Sequence, residues 1–323
     1  MKQSAESESA ESESKALRLA ILGAGAWGSA LAGLARRNGH AVQVWSRRGC
    51  LTLAEVVSKT DAILSAISMK GVASVAQQLS ELEIPPQVVL VTATKGLDSQ
   101  TTRTPSQLFR KQFPHHAIAV LSGPNLSQEI EQGLPAATVL ASTDSLAAQK
   151  VQRLFASEQF RVYTSADPLG AELGGTLKNV IAIAVGVCDG LSLGTNAKSA
   201  LITRALPEVI RIGMKLGAAD VETFYGLSGL GDMLATCSSS LSRNYRVGYG
   251  LAQGKSLPQI LEELGGTAEG VNTAHVLMEI AERENIAAPI SREVDRLLHG
   301  QITPRQAVEA LMERELKPEA RDW

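Results

Sequence analysis

The stretch ILGAGAWGSALAGLARRNGHAVQVWSRR, residues 21–48, decides the fold. Gly23, Gly25 and Gly28 form a GxGxxG turn between an apolar run and a segment with helical spacing. Gly23 allows a tight turn, Gly25 allows a phosphate to approach the backbone, and Gly28 lets the helix pack close to the strand. A second apolar run, 41–45, follows this helix. Small residues alone fit any tight turn, but the order strand, turn, helix, strand predicts a dinucleotide-binding unit.

The apolar runs that follow extend this unit into a sheet. They are short and lack clean alternation, which is typical of parallel strands covered by helices on both faces. The predicted strands are residues 17–22, 41–45, 61–67, 87–93, 117–121 and 136–142, with 160–165 as a further member. Helical spacing between the runs, and Gly39 at a predicted helix end, complete a βαβ alternation. We therefore expect a Rossmann-type, doubly wound parallel sheet over residues 17–167.

The strand pattern stops at about residue 168, while helical patterns continue to residue 323. Residues 170–191 and 197–217 predict two long helices, and shorter amphipathic segments follow. At 323 residues the chain is longer than one apolar core usually organises, so two domains are expected. The second, 168–323, is predicted to be an all-helical substrate and catalytic domain, with a cleft between the two domains for a small molecule.

Composition excludes several other classes of function. With 31 basic and 33 acidic residues the net charge is −2, so neither nucleic acid nor an anionic membrane is an expected partner. Three scattered cysteines, Cys50, Cys188 and Cys237, have no ligand or disulfide spacing, which predicts no metal site and a reducing cytoplasm. The Ser, Ala and Glu repeats at the start predict a disordered acidic tail over residues 1–16, without a signal peptide. No apolar run is long enough to predict stable membrane insertion.

Two arginines stand where the ribose of a bound cofactor is expected. A strand end in this position usually places Asp or Glu against the ribose hydroxyls of NAD, but this chain has Ser46, Arg47 and Arg48. Guanidinium groups can pair with a 2′-phosphate instead. The sequence therefore favours NADPH without excluding NADH, and two solvated surface arginines are the alternative interpretation.

Candidate catalytic residues lie in the predicted helical domain. Lys178 stands in an otherwise apolar helix, where a solvated lysine is unexpected, and desolvation would bring its ammonium toward proton transfer. Asp232, in a glycine-rich segment, could hold that ammonium charged and oriented. Ser242, Arg243 and Asn244 follow together near a predicted helix start, which suits anion binding.

Several of these motifs resemble one family. They are GAGAWGSALA, TKGL, LSGPN, ELGGTLKNVIAIAVG, GLSGLGD, SRNYRVG and TAEGVNTA, spread over residues 17 to about 315. With them the chain closely resembles bacterial NAD(P)-dependent glycerol-3-phosphate dehydrogenase. The resemblance implies reversible hydride transfer between NAD(P)H and dihydroxyacetone phosphate, giving sn-glycerol 3-phosphate for phospholipid synthesis. It makes Lys178 the general acid/base and Asp232 the residue that orients it.

The resemblance also implies which residues contact the two ligands. Substrate contacts are expected from Lys95, Gly123, Asn125, Lys178, Asn179, Asp232, Ser242, Arg243 and Asn244. Cofactor contacts are expected from Gly23, Gly25, Ala26, Trp27, Gly28, Arg47, Arg48, Lys95, Ser127, Arg243, Thr267 and Glu269. Simpler interpretations of single motifs stay open: Trp27 could pack in the core, and Glu269 could cap a helix. A homodimer is also left open.

The chain departs from the family pattern on the adenosine side. Only residues 49–60 join Arg48 to the next predicted strand, where the family usually has a longer segment with an extra helix and loop. The segment after the third strand also lacks the proline-containing turn of the family. Two alternative classes are a sister hydroxy-acid dehydrogenase, which would need a carboxylate site in place of the phosphate cluster, and a non-catalytic NADPH-binding regulator.

Overall fold

The computed structural model describes residues 16–315 and residue 318. Its first part is a seven-stranded sheet in the order β2-β1-β3-β4-β5-β6-β7, as a doubly wound fold requires. The strands are β1 Arg18–Leu22, β2 Ala41–Trp45, β3 Ala62–Ser65, β4 Val89–Thr92, β5 Ile118–Ser122, β6 Ala136–Ser142 and β7 Phe160–Ser165. The Rossmann-type fold predicted from the sequence is confirmed. Except for its last residue, the predicted acidic tail lies outside the described residues.

Burial explains the apolar runs of the central strands. Every residue of β3, β4 and β5 is buried, and alternate residues of β1 belong to the two cores on opposite faces of the sheet. The helices that cover these faces are α1 Ala26–Arg37, α2 Leu53–Val57, α3 Met69–Ser80, α4 Pro105–Gln112, α5 Ser127–Glu131 and α6 Ser145–Phe155. Because both faces are covered, the strands need no alternation of apolar and polar residues.

One pairing differs from the parallel sheet that we expected. Strand β6 runs antiparallel to β5, with Ser122 opposite Val139, while all other neighbouring strands are parallel. The connection between β5 and β6 contains only the short α5, and an antiparallel pair can be joined by such a connection. The apolar content of β6 resembles that of its neighbours and does not reveal its direction.

The second part is helical and follows β7 directly. Its elements are α7 Pro168–Gly190, α8 Gly194–Lys215, α9 Glu222–Tyr225, a π-helical turn Leu227–Gly231, α10 Asp232–Cys237, α11 Arg243–Ala252, α12 Leu257–Leu264, α13 Glu269–Arg283, α14 Pro289–Leu298 and α15 Pro304–Met312. Asp167 starts α7 by accepting a hydrogen bond from the Gly170 amide at 2.9 Å. The change from sheet to helices falls at the predicted boundary, but the division into two domains stays a prediction.

Helix α7 forms the centre of the helical part. It is long and apolar enough to cross a membrane, yet its most apolar window is entirely buried inside the protein, as in a core helix. Glycines let α11 approach it closely: a Cβ on Gly248 would lie 1.8 Å from the carbonyl oxygen of Ile183. A Cβ on Gly186 would lie 2.1 Å from the Tyr245 carbonyl oxygen. The first turn of α11 is therefore fixed against the middle of α7.

Candidate active site

The glycine-rich turn has the geometry of a phosphate-binding loop. Gly23 has φ +120°, and a Cβ there would lie 2.5 Å from the Ala66 carbonyl oxygen. A Cβ on Gly28 would lie 2.0 Å from the carbonyl oxygen of Gly23, so helix and turn touch through backbone alone. At Gly25, the residue before α1, a Cβ would meet nothing within 4 Å. Space is thus left at the N-terminus of α1, which begins at Ala26. The backbone amides of this first turn favour the binding of an anion.

Arg47 and Arg48 lie in an exposed turn directly after β2. The turn is closed by a hydrogen bond from the Gly49 amide to the Ser46 carbonyl oxygen at 2.9 Å. The end of β2 is attached to the phosphate loop, because the Gly23 amide donates to the Trp45 carbonyl oxygen at 2.8 Å. Within residues 16–315 neither arginine forms an ion pair. Both guanidinium groups are thus free on the side of the loop where the ribose is expected.

The connection from β2 to β3 is short but forms a helix. Thr52 and Glu55 make a capping box that starts the five-residue α2, and Val56 and Val57 are buried beneath it. Gly49, Cys50 and Leu51 before it are exposed. Residues 49–60 therefore complete the parallel crossover with one short helix, and they leave the exposed turn with Arg47 and Arg48 uncovered.

A buried carboxylate joins two lysines where the sheet meets the helices. Asp232, the first residue of α10, lies 3.0 Å from Lys178 Nζ through Oδ1 and 2.5 Å from Lys95 Nζ through Oδ2. Lys95 follows β4 and also donates to the Gly123 carbonyl oxygen at 3.2 Å. Asp232 and Lys178 are only 2% and 6% exposed. The structure thus brings together the two residues predicted to act in catalysis, and adds Lys95 to them.

Burial changes the acidity of Lys178. Removal of its ammonium from water lowers the pKa to about 8, against the attraction of Asp232, which raises it. The positive charge of Lys95 acts in the same direction as burial. A lysine with this pKa can be protonated or neutral near neutral pH. The site can therefore both donate and accept a proton.

Close backbone packing fixes Asp232 opposite α7. A Cβ on Gly174 would lie 2.8 Å from the Ser228 carbonyl oxygen, and one on Gly229 would lie 2.1 Å from that of Phe224. The π-helical turn that carries Ser228 and Gly229 leads directly into Asp232. Such turns occur frequently at functional sites. The glycine-rich sequence before Asp232 is thus a packing requirement of the site.

Two polar residues of this centre were missed by the sequence analysis. Thr236 accepts a hydrogen bond from Lys178 Nζ and donates to Asp232 Oδ1 at 3.3 Å. Its position four residues after Asp232, on the same helix face, was an available signal. The buried Ser122 Oγ lies close to Gly175, since a Cβ there would be 2.4 Å from it. This hydroxyl oxygen has no hydrogen-bond partner within the described part of the chain.

An amide chain joins the catalytic helix to the predicted substrate-binding cluster. Asn244 Nδ2 donates to Asn179 Oδ1 at 2.9 Å, and Asn244 Oδ1 accepts from the Gly270 amide at 2.9 Å. The link ties α7, α11 and α13 together. Both polar groups of the Asn244 side chain are used within the protein, whereas Asn179 Nδ2 has no hydrogen bond to any residue that the structure describes. Of this pair, Asn179 is the better placed to reach a ligand through its side chain.

Ser242 and Arg243 lie at the N-terminus of α11. The Ser242 hydroxyl oxygen caps the helix by accepting from the Tyr245 amide at 3.2 Å. Arg243 is exposed, and its Nη1 would lie 2.9 Å from a Cβ on Gly266. The guanidinium group and the helix N-terminus together favour an anion.

Glu269 contacts the sheet part from the start of α13. Its Oε1 accepts from the Met69 amide of α3 at 3.2 Å and from the Thr267 hydroxyl at 3.4 Å. Burial raises the pKa of this carboxyl group, while the Met69 hydrogen bond and the charge of Arg243 oppose that effect. Glu269 therefore bridges the helical part and the edge of the predicted cofactor site, and Thr267 supports its carboxylate.

The remaining predicted contacts lie around the ends of β4 and β5. Trp27 is half-buried, packs against the core and donates through Nε1 to the Ala93 carbonyl oxygen at 3.3 Å. Asn125 has its side chain bound by Thr138 at 2.8 Å and by the Ala137 carbonyl oxygen at 3.2 Å. Ser127 begins α5 and is half-buried. Both polar atoms of the Asn125 side chain thus already make a hydrogen bond within the protein, and each can make one more with a ligand.

These features define a class of protein. A dinucleotide-binding sheet, followed by a helical part that supplies a buried lysine held by a carboxylate, is the organisation of a nicotinamide-dependent oxidoreductase. The family models for the C-terminus and the N-terminus of NAD-dependent glycerol-3-phosphate dehydrogenase match residues 167–309, and residues 18–52 with 48–148. The two matched ranges of the N-terminal model overlap at residues 48–52, in the short connection between β2 and β3.

Relatives cover nearly the whole chain. Glycerol-3-phosphate dehydrogenase (NAD(P)+) of Synechocystis sp. is 64% identical over 306 residues, 95% of this chain and 96% of the relative. The protein of the same name from Acaryochloris marina is 62% identical over 94% and 98%. The crystal structure of glycerol-3-phosphate dehydrogenase from Coxiella burnetii, 32% identical, superposes with a TM-score of 0.89 and covers 93% of this chain and 99% of that one.

The chain belongs to the NAD(P)-dependent glycerol-3-phosphate dehydrogenase family. It is therefore an oxidoreductase that uses NADH or NADPH, which confirms the predicted family, enzyme class and kind of cofactor, while the preference for NADPH stays a prediction. The chain therefore belongs to neither of the two alternative classes, the sister hydroxy-acid dehydrogenases and the non-catalytic regulators.

Proposed function

We propose that the chain transfers a hydride reversibly between NAD(P)H and dihydroxyacetone phosphate, with sn-glycerol 3-phosphate as the reduced product. The observation that carries this proposal is the Asp232 carboxylate bound by both Lys95 and Lys178. It puts a proton donor of lowered pKa beside a second cation at the meeting point of the sheet and the helices. Reduction of a ketone needs such a donor for the alkoxide that develops on its oxygen.

The glycine-rich turn fits the pyrophosphate of the cofactor. The open space at Gly25, next to the first amides of α1, supports this fit, and so does the close packing at Gly23 and Gly28. When bound, NAD(P)H supplies the hydride. Arg47 and Arg48 bind the 2′-phosphate in this proposal, which favours NADPH over NADH. Ala26, Trp27, Ser127, Thr267 and Glu269 are assigned to the same ligand.

Lys178 acts as the general acid in reduction and as the general base in oxidation. Its ammonium donates a proton to the substrate oxygen as the carbonyl is reduced, and the neutral amine takes that proton back in reverse. Asp232 holds Nζ in position, and the hydrogen bond to Thr236 fixes its direction further. Lys95 and Asn179 bind polar groups of the substrate, together with Asn125 and with Gly123, whose carbonyl oxygen accepts from Lys95.

The phosphate of the substrate binds at the N-terminus of α11. Arg243 supplies a guanidinium fork, and the helix start supplies amides and a favourable dipole. The hydrogen bonds through Asn244 support this assignment, because they couple α11 to Asn179, the residue after Lys178. Ser242 shapes the helix start as its cap.

We also infer the cellular role from the sequence. Three cysteines without a disulfide among the described residues fit a reducing cytoplasm. The product would supply glycerophospholipid synthesis there. A homodimer is a further part of this proposal, and sedimentation of the purified chain tests it.

One assay tests the reaction. NADPH absorbance is followed with dihydroxyacetone phosphate, with unphosphorylated dihydroxyacetone and with a panel of keto acids. We expect rapid oxidation of NADPH with the phosphorylated ketone and a far lower kcat/KM with the others. A preference for a keto acid would overturn the proposal, and equal rates with both ketones would remove the phosphate site from it.

A further inference from the structure

A cluster of potential metal ligands lies outside the catalytic centre, between α13 and α14. It consists of His275 on α13, Asp295 on α14 and His299 at the end of α14, here called the His-Asp-His cluster. One nitrogen or oxygen atom from each residue lies within 4.8 Å of those from the other two. Two imidazoles and one carboxylate form a ligand set that suits zinc and similar divalent ions.

The carboxylate at the centre of this cluster lacks a hydrogen bond. Asp295 Oδ1 is buried, and within the described part of the chain it has no hydrogen-bond partner. His299 Nδ1 lies 3.3 Å from it and His275 Nδ1 lies 3.9 Å from it. Buried polar atoms are nearly always satisfied, so an oxygen left unpaired here needs an explanation. A bound cation between the three side chains would provide one.

The distances agree with a shared metal ion. Ligand atoms at about 2.1 Å from a tetrahedral ion are about 3.4 Å apart. Asp295 Oδ1 and His275 Nδ1 are 3.9 Å apart, which exceeds this value by about 0.5 Å. Both imidazoles are about half exposed, with side chains 54% and 46% accessible, so their rings can turn to close the remaining gap.

Further groups stand where they would orient the imidazoles. His275 Nε2, on the ring side away from Asp295, lies 3.7 Å from Glu279 Oε1. His299 Nδ1 lies 2.9 Å from the Asp295 carbonyl oxygen, to which it would donate a hydrogen bond, so that Nε2 is the ligand atom. Metal-binding histidines almost always donate their other ring N–H to a carboxylate or a carbonyl oxygen.

We propose that the His-Asp-His cluster binds one divalent first-row transition ion of the zinc type, with water at the open position. This site was not predicted from the sequence: Asp295 and His299 have i, i+4 spacing, but His275 precedes Asp295 by 20 residues and reaches it only through the packing of α13 on α14. The ion would clamp these two helices together. Since Glu269 begins α13, the clamp would stabilise the helix that reaches the edge of the proposed cofactor site.

The test titrates the tag-free, chelator-treated full chain with Zn²⁺ by calorimetry. We expect one ion per chain, and a rise in Tm on adding Zn²⁺. His275→Ala and His299→Ala should each raise Kd at least about tenfold and remove the Tm response. Asp295→Asn should weaken binding in the same way. Addition of Co²⁺ instead should give visible absorption bands that the double histidine variant, with both His275→Ala and His299→Ala, lacks.

The matched control is His115→Ala, since His115 is an exposed histidine far along the chain from the cluster. This variant should bind Zn²⁺ as the wild type does, and the circular dichroism of every metal-free variant should match the wild type. No binding by the wild type would overturn the proposal. Equal affinity in the wild type and the double histidine variant would also overturn it, because the ion would then be held elsewhere on the surface.

Discussion

Lys178 Nζ lies 3.0 Å from Asp232 Oδ1, although 54 positions separate the two residues in the sequence. Both are almost entirely buried, and an ion pair at such a position is costly unless it is well paired. Lys95 and Thr236 complete the pairing of the carboxylate. A buried pair of this kind at a junction of two structural parts is better explained by chemistry than by stability.

The first prediction removes the proposed acid. Lys178→Ala should lower kcat by about 100-fold or more, because a positioned proton donor contributes on that order. Binding of NADPH, measured by fluorescence, should stay near the wild-type value. Lys215→Ala, at an exposed lysine in the last turn of α8, is the control and should change neither. Near-wild-type turnover of Lys178→Ala would remove this residue from the mechanism.

The second prediction concerns pH. The pKa of Lys178 is lowered to about 8 by burial, so the amine becomes neutral above that pH. Oxidation of glycerol 3-phosphate needs the neutral base and should rise with pH until it levels off above about 8. Reduction of the ketone needs the ammonium and should fall over the same range. Profiles of kcat/KM in both directions check these opposite slopes.

A variant makes the pH prediction specific to this pair. Asp232 raises the pKa of Lys178, so Asp232→Asn should move the inflection of both profiles to lower pH. It should also reduce the rate, since Nζ loses its carboxylate partner. An unchanged inflection would mean that another group controls the profile.

The third prediction concerns the substrate phosphate. Arg243→Ala should lower kcat/KM for dihydroxyacetone phosphate at least tenfold, which corresponds to about 1.5–3 kcal/mol for a charged hydrogen bond. The kcat/KM for unphosphorylated dihydroxyacetone should fall much less. Arg246→Ala is matched to it, because Arg246 is an exposed arginine one turn later on α11. Equal losses for both ketones would indicate that Arg243 serves the cofactor or the fold.

The fourth prediction separates two glycines of the same turn. A Cβ on Gly28 would lie 2.0 Å from the Gly23 carbonyl oxygen, so Gly28→Ala should destabilise the protein by about 3 kcal/mol, as overpacking does. A Cβ on Gly25 meets nothing within 4 Å, so Gly25→Ala should lower the free energy of unfolding by less than about 1 kcal/mol. It should nevertheless raise KM for NADPH, because the methyl group occupies the phosphate space. Denaturant unfolding and steady-state kinetics measure the two effects. Unchanged kinetics in Gly25→Ala would contradict the proposed position of the phosphate.

Local patterns in the sequence predicted most of the fold. The predicted bounds of β2, β6 and β7 agree with the structure, and those of the other strands differ by at most two residues at either end, because buried strands produce apolar runs. The antiparallel direction of β6 was not predictable in this way. Direction depends on how the connection after β5 turns, and the composition of a strand does not record it.

The site was predictable only in part for a similar reason. Lys178 was conspicuous as a charge in an apolar helix, and the cap at Ser242 had a local signature. The pairing of Lys95 with Asp232 spans 137 residues and depends on tertiary packing. The same holds for the amide chain from Asn179 through Asn244 to Gly270.

The last prediction concerns cofactor preference. Arg47 and Arg48 lie in an exposed turn after β2, joined through Trp45 to the phosphate loop, and neither forms an ion pair within residues 16–315. We expect NADPH to be preferred over NADH by about 1–3 kcal/mol, because the pairing with a 2′-phosphate is charge-assisted but open to solvent. The short connection after the turn leaves the arginines uncovered, so the preference should shrink as salt is raised.

Replacing both arginines by alanine should raise KM for NADPH and leave KM for NADH almost unchanged. Arg37→Ala is the control, since Arg37 is exposed at the far end of α1 and lies away from the N-terminal phosphate space. Initial rates with each cofactor, at low and at high salt, measure the preference and its screening. A matching rise in KM for both cofactors would show that the arginines do not bind the 2′-phosphate, and a wild-type preference for NADH would show the same.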